Sequence, residues 1–107
     1  MAARHASAPA TNRRELAIAR TAEVCAALEK IGVTARVIGS LASGRFGPRS
    51  DIDLLITQCP RHLKYAIEGT IEELLQGLPF DVVYLDEIPE HKLDRFVRGA
   101  VDARQLR

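Results

Sequence analysis

Residues 39–56 read GSLASGRFGPRSDIDLLI and contain the clearest structural signals of this 107-residue chain. The first half, residues 39–47, is rich in small residues and punctuated by glycine, which favours a tight turn that is partly helical. From Asp51 to Thr57 the sequence first alternates carboxylates with apolar residues and then becomes apolar, which is typical of a central strand covered on at least one face. A tight turn followed by a central strand therefore defines the middle of the fold.

Helices and strands alternate on both sides of this segment. Apolar periodicity predicts helices at residues 12–31, at residues 62–76 and from Pro89 through Val101. Short β-branched or apolar runs predict strands at residues 33–38, 51–57 and 80–85. The strand–helix–strand unit at residues 51–85 should cross over right-handed and pair its strands in parallel, whereas the tight turn before it favours an antiparallel neighbour.

We therefore expect an α/β (α+β) fold in which a small mixed β-sheet is flanked by helices. The expected order is helix, strand, helical turn, strand, helix, strand and helix. Residues 1–11 are expected to form a flexible N-terminus, and residues 12–107 a single domain.

The composition disfavours several classes of protein. The 15 basic and 14 acidic residues give a net charge of +1, which argues against nucleic acid as the sole partner because such binders carry a basic excess. Cys25 and Cys59 form no CxxC pair and are interpreted as free thiols of a reducing, cytoplasmic compartment. The sequence contains no apolar run of membrane-spanning length, so no membrane association is expected.

Paired carboxylates are the strongest chemical signal. Asp51 and Asp53 lie two residues apart, so in a strand both side chains point to one face, about 7 Å apart. Like charges so placed repel each other, and a divalent cation removes the repulsion. Magnesium prefers carboxylate oxygens together with substrate phosphates.

A third carboxylate completes this set if strand 80–85 lies parallel to strand 51–57, because Asp81 then lies next to Asp53. Three carboxylates around two metal ions form the arrangement used for in-line displacement at phosphorus. Asp86 and Glu87 are close in sequence, so the third acid is expected to be Asp81 or, if the register differs, Asp86 or Glu87.

The residues around this acidic set are suited to binding phosphate. Gly39 allows close backbone approach, and Ser40 begins a helical turn whose N–H groups can face an anion, although Ser40 could also act only as a helix cap. Arg45 and Arg49 could neutralise a triphosphate or lie on ordinary surface. Arginines also cluster between residues 95 and 107, where they form either a solvated helix face or a contact with phosphate or a partner.

Gly39-Ser40, the spacer, the Asp51/Asp53 pair and the later Asp81 together resemble the signature of the DNA polymerase β-like nucleotidyltransferase superfamily. The likeness is greatest to its small stand-alone members, the minimal nucleotidyltransferases. The resemblance implies ATP or another nucleoside triphosphate as donor and Mg²⁺ as the metal. It implies that Asp51, Asp53 and Asp81 are catalytic metal ligands, and that Gly39 and Ser40 hold the triphosphate.

The resemblance also implies a protein partner. Many bacterial and archaeal single-domain members are antitoxins of a HEPN-type ribonuclease toxin, and the better-understood ones transfer AMP to a toxin tyrosine. Larger relatives carry an additional domain that reads the acceptor. Here the acceptor site is expected to be shared with a partner or with a second copy of the chain.

Two other functions remain open on the sequence. The same fold could neutralise a partner by contact alone, which would suit the exposed arginines of the last helix. Alternatively, the nucleotide could be transferred to a small molecule or RNA. The intact set of three acids favours an enzyme over a module that acts only by contact.

Overall fold

The computed structural model describes residues 10–106 of the chain. Within them the elements follow the predicted order: α1 (Ala10–Glu29), β1 (Thr34–Ile38), α2 (Gly39–Ser43), β2 (Ile52–Gln58), α3 (Ile67–Leu75), β3 (Phe80–Tyr84) and α4 (Glu90–Gly99). Short 3₁₀ turns lie at Arg61–Leu63, Leu85–Glu87 and Ala103–Gln105. The expectation of a flexible terminus at residues 1–11 falls mainly outside the described residues. None of the helices described here has the length and apolar character that crossing a bilayer requires.

The three strands form a mixed sheet in the order β1-β2-β3. Strand β1 pairs with β2 antiparallel, and β2 pairs with β3 in parallel, which confirms both predicted pairings. Asp53 lies opposite Ile38 on one side and opposite Asp81 on the other. Asp53 therefore lies on the central strand, between residues of both neighbouring strands.

The two faces of the sheet are covered unequally. Strand β2 sends alternate residues into the main core, which is formed with α1 and α3 and includes Ile52, Leu54, Ile56, Ile67 and Ile71. The opposite face holds a smaller cluster of Ile38, Leu55 and Ile88, against which α4 packs through Leu93 and Phe96. Because side chains alternate along a strand, Asp53 shares this second face with Leu55.

The predicted helix at residues 62–76 is wrong in its first turn, since α3 begins at Ile67. Tyr65, two residues before this start, has a φ of 69°, which an α-helix cannot contain. Its backbone N–H donates to the Tyr84 hydroxyl at 3.1 Å, and the two rings pack edge to face. Lys64 pairs with Asp86 and with Glu87, each at 2.9 Å. These long-range contacts outweigh the local helical pattern.

Two other predicted boundaries need correction. Asp51 precedes β2, which begins at Ile52. Helix α4 ends at Gly99, a residue of low helix propensity, and Val101 forms an antiparallel bridge with Val37 instead of continuing the helix. Backbone hydrogen bonds of 2.8 and 2.9 Å close this bridge at the free edge of β1.

An arginine of α1 holds the loop that leads to Asp51. Arg13 donates through Nη1 to the Gly47 carbonyl at 2.9 Å and through Nη2 to the Ser50 carbonyl at 3.2 Å. Its guanidinium also lies 5.0 Å from the centre of the buried Phe46 ring. The Ser50 hydroxyl accepts from the Gly47 N–H at 2.9 Å, which closes the loop on itself. These contacts fix the conformation of the loop and therefore the position of Asp51, which follows it.

Arg13→Met should lower the free energy of unfolding by about 1–2 kcal/mol, because two charge-assisted hydrogen bonds and the contact with Phe46 are lost. Urea denaturation followed by circular dichroism measures the change. Arg14→Met is the matched control, since no ion pair of residues 10–106 involves Arg14. Equal losses in the two variants would contradict the role given to Arg13.

Candidate functional site

The parallel register brings two of the predicted acids together. Asp53 of β2 lies directly beside Asp81 of β3, and neighbouring strands are about 4.8 Å apart. Both carboxylates line a cavity of about 430 Å³ between the sheet and α4. Asp81 therefore lies on the same face of the sheet as Asp53.

The alternative third acid lies elsewhere. Asp86 belongs to the turn that follows β3, and its carboxylate accepts from Lys64 Nζ at 2.9 Å. It lines a different cavity, at the other end of β2, together with Gln58. The geometry thus places Asp81, and not Asp86, beside Asp53.

The carboxylates near the cavity repel one another and have no ion-pair partner within residues 10–106. The pKa of Asp53 is raised from its ordinary value, first by burial and then by the negative charges of Asp81 and Asp51. None of the ion pairs formed within residues 10–106 involves any of these three aspartates. The three carboxylates therefore lie near one another without a paired cation, and a bound divalent ion would relieve their mutual repulsion.

The donors present fit a divalent metal ion that also binds substrate. Within residues 10–106, no three His, Cys, Asp or Glu side chains are close enough to hold a metal ion by themselves. Magnesium is commonly held by one or two carboxylates together with waters and substrate phosphates, so a complete protein cage is not required. Asp53 and Asp81 are the adjacent pair for this role, and the exposed Asp51 is the nearest further carboxylate along the chain.

The turn between β1 and α2 approaches Asp53 closely. Gly39 has a φ of +74°, and a Cβ at this position would lie 3.1 Å from Cγ and 3.2 Å from Cβ of Asp53, and closer still to Oδ2. Only glycine combines this backbone conformation with this approach. Gly39 also lines the cavity, so a ligand bound by Asp53 would lie next to the Gly39 backbone.

Ser40 lies next to this approach but not in the cavity lining. It is half-buried in α2, where its carbonyl accepts from the Arg45 N–H at 2.9 Å and from the Ser43 hydroxyl at 3.3 Å. These bonds stabilise the short helix α2. A direct contact of Ser40 with phosphate stays a prediction.

The cations of the cavity differ from those the sequence suggested. Arg45 and Arg49 are exposed in the loop after α2, outside the cavity lining. Lys92 and Arg95 of α4 line the cavity instead. Sequence reasoning missed Lys92 and treated Arg95 only as part of a basic cluster. The available signal was the spacing of Lys92, Arg95, Phe96 and Gly99, which places all four on one face of a helix.

Comparison with known proteins agrees with this geometry. The sequence model of the nucleotidyltransferase domain family matches residues 18–107. The chain belongs to this family. Nucleotidyltransferase domains generally use a nucleoside triphosphate and a divalent metal ion, which is the ligand set that paired carboxylates suit.

A solved structure described as a "putative minimal nucleotidyltransferase" is similar to this nucleotidyltransferase domain over most of its length. The sequence identity is 27%, the TM-score is 0.62, and the match covers 85% of this chain and 89% of the other. No curated protein matches the chain significantly. The fold and the superfamily expected from the sequence are thus confirmed.

Gly39→Ala should be more destabilising than Gly44→Ala, although both glycines have a positive φ, +74° and +82°. Strain alone should cost about 1 kcal/mol at either site, and crowding against Asp53 should add about 1 kcal/mol at Gly39. A Cβ at Gly44 meets no atom within 4 Å, which makes Gly44→Ala the matched control.

Urea denaturation measures both variants. In an Asp53→Ala background the additional cost of Gly39→Ala should become smaller, because the contacts with Oδ2 and Cγ are gone and only the 3.2 Å contact with Cβ remains. An additional cost of unchanged size there would contradict the proposed contact.

Asp53→Asn should stabilise the metal-free protein at neutral pH by about 0.5 kcal/mol, a value discounted for solvent screening. The folded state holds the proton of Asp53 more tightly than the unfolded chain does, because the folded pKa is raised. Ionisation therefore lowers stability as pH rises above the ordinary aspartate pKa of 3.8. The gain should vanish below about pH 3, where Asp53 is protonated in both states.

Thermal unfolding with a chelator present, followed from acidic to neutral pH, tests this expectation. Asp86→Asn is the control, because Asp86 has an ion-pair partner and its loss should not stabilise the protein. A destabilised Asp53→Asn protein at neutral pH would show that the carboxylate is favourably paired.

Proposed function

We propose that this protein is a magnesium-dependent nucleotidyltransferase that transfers AMP from ATP to a hydroxyl group of a partner protein. The observation that carries the proposal is the pair Asp53 and Asp81, which lie side by side on parallel strands, line one cavity and form no ion pair within residues 10–106. Membership of the nucleotidyltransferase family supports transfer of a nucleotidyl group as the reaction.

Each acid has a defined role in the proposed reaction. Asp53 and Asp81, with Asp51 as a further carboxylate, would hold Mg²⁺ together with the substrate phosphates, and the bound metal would neutralise the triphosphate and activate the attacking hydroxyl. The acceptor oxygen bonds to the α-phosphorus, and the bond from that phosphorus to pyrophosphate breaks. Asp81 is exposed on the sheet and accepts the proton that the hydroxyl loses. The backbone of Gly39, beside Asp53, lies where it can contact the phosphates.

The acceptor we propose is a tyrosine of a HEPN-type ribonuclease toxin, with this chain as its antitoxin. The resemblance to minimal nucleotidyltransferases supports this choice, as does the similar solved structure described by that name. The acid-bearing face of the sheet is covered by α4 only in part, so the cavity is open to a second molecule. The free thiols Cys25 and Cys59 suit a cytoplasmic location, where ATP is abundant.

Transfer from α-labelled ATP to the partner should fall on the order of a hundredfold or more in Asp53→Asn and in Asp81→Asn, since metal ligands are lost. The proposal requires a partner of this kind, and the test uses a short helical ribonuclease encoded by a neighbouring gene. Asp86→Asn is the control and should retain transfer, because Asp86 is engaged with Lys64 outside the cavity. A chelator should abolish transfer by the wild type.

Protection of cells from the partner separates enzymatic from contact-only neutralisation. If catalysis is required, Asp51→Ala and Asp53→Asn should fail to protect although both proteins fold. Full protection by these variants would show that binding alone neutralises the partner. Label found on RNA or on a small molecule, with none on the protein, would overturn the choice of acceptor while preserving the reaction.

A further inference from the structure

Two of the three Lys and Arg side chains of α4 lie in a different environment from the third. Arg98 pairs with Asp94 on the exposed side of the helix. Lys92 and Arg95 line the cavity and form no ion pair of 4 Å or less within residues 10–106. They remain separate from Asp53 and Asp81 although all four side chains line the same space.

We infer that Lys92 and Arg95 bind the phosphate chain of the nucleoside triphosphate, so that α4 forms the anion-binding wall of the cavity. The inference rests on the proposed nucleotidyl transfer, because that reaction defines the ligand. It assigns the phosphate contacts to α4 and not to Arg45 and Arg49, which lie outside the cavity lining.

The charge distribution supports this assignment. The sheet contributes two carboxylates to the cavity, and the helix contributes an ammonium and a guanidinium group. If these groups served only the fold, pairing across the cavity would be expected, since unpaired opposite charges attract. A polyphosphate bound to a divalent cation carries charges of both signs. Its metal ion can bind the carboxylates, and its phosphate oxygens can bind Lys92 and Arg95.

The size of the cavity and the identity of the side chains agree with such a ligand. A volume of about 430 Å³ lies within the range of small-molecule sites. The guanidinium of Arg95 offers a planar fork of donors that matches two phosphate oxygens, and Lys92 offers a compact point charge. The half-buried Phe96 packs against the apolar cluster on this face of the sheet, which fixes the face that α4 presents.

Binding of inorganic tripolyphosphate, and of a non-hydrolysable ATP analogue with Mg²⁺, tests the inference by calorimetry. Lys92→Gln and Arg95→Gln should each weaken both ligands roughly five- to tenfold, as expected for loss of a charge-assisted contact. Arg95→Lys should recover part of the affinity, since the charge returns without the fork. Arg98→Gln is the matched control from the same helix and should leave both affinities within about twofold, because Arg98 lies outside this cavity.

Three results would overturn the inference. The first is that Lys92→Gln and Arg95→Gln bind the probes as tightly as Arg98→Gln does. The second is that binding is weakened in Arg45→Gln and Arg49→Gln instead. The third is that the wild type binds neither probe. The assay needs neither acceptor nor turnover, so its outcome is separable from that of the proposed function. Loss of tripolyphosphate binding in the α4 variants, with no label transferred to any acceptor, would support the anion site and refute the proposed reaction.

Discussion

The parallel pairing of β2 with β3 is the constraint on which the rest of the structure depends. The crossover through α3 sets this pairing, because Ile67 and Ile71 pack on the same face of the sheet as Ile52 and Leu54. Strand side chains alternate with a period of two, so a slip of one residue would move Asp81 to the other face. Burial on the α1/α3 face therefore fixes the position of Asp81 beside Asp53 on the opposite face.

On the face that carries Asp53, unfavourable interactions outweigh favourable packing, in contrast to the α1/α3 face. Its apolar cluster is small, and Asp53 lies half-buried next to it with a raised pKa and two acidic neighbours. Gly39 holds a positive φ so that the backbone can approach this carboxylate. Each feature is unfavourable for folding, and the main core offsets them. Unfavourable interactions gathered at one location are typical of functional sites, where stability is exchanged for binding.

Sequence reasoning succeeded where the signal was local or periodic. The order of elements, both strand pairings and the adjacency of Asp53 to Asp81 follow from patterns in short windows and from crossover geometry. It did not predict the features that depend on distant contacts. Arg13 anchors a loop 34 residues away, and Tyr65 leaves the helical conformation to contact Tyr84. Lys92 and Arg95 were not assigned to the site because basic residues on a helix are typical of solvated surface. Their role becomes visible only when the part of the sheet that the helix covers is known.

Helix α4 depends on the sheet at both of its ends. Shortly before its start, Ile88, which follows the turn after β3, packs with Leu55 of the central strand. Beyond its end, Val101 bridges Val37 through two backbone hydrogen bonds. The helix that carries Lys92 and Arg95 is thus fixed against β2 and β1, while Asp53 and Asp81 lie on β2 and β3. Because these contacts resist displacement, the fold itself sets the distance from Lys92 and Arg95 on α4 to Asp53 and Asp81 on the sheet. A bound ligand is not needed to set that distance.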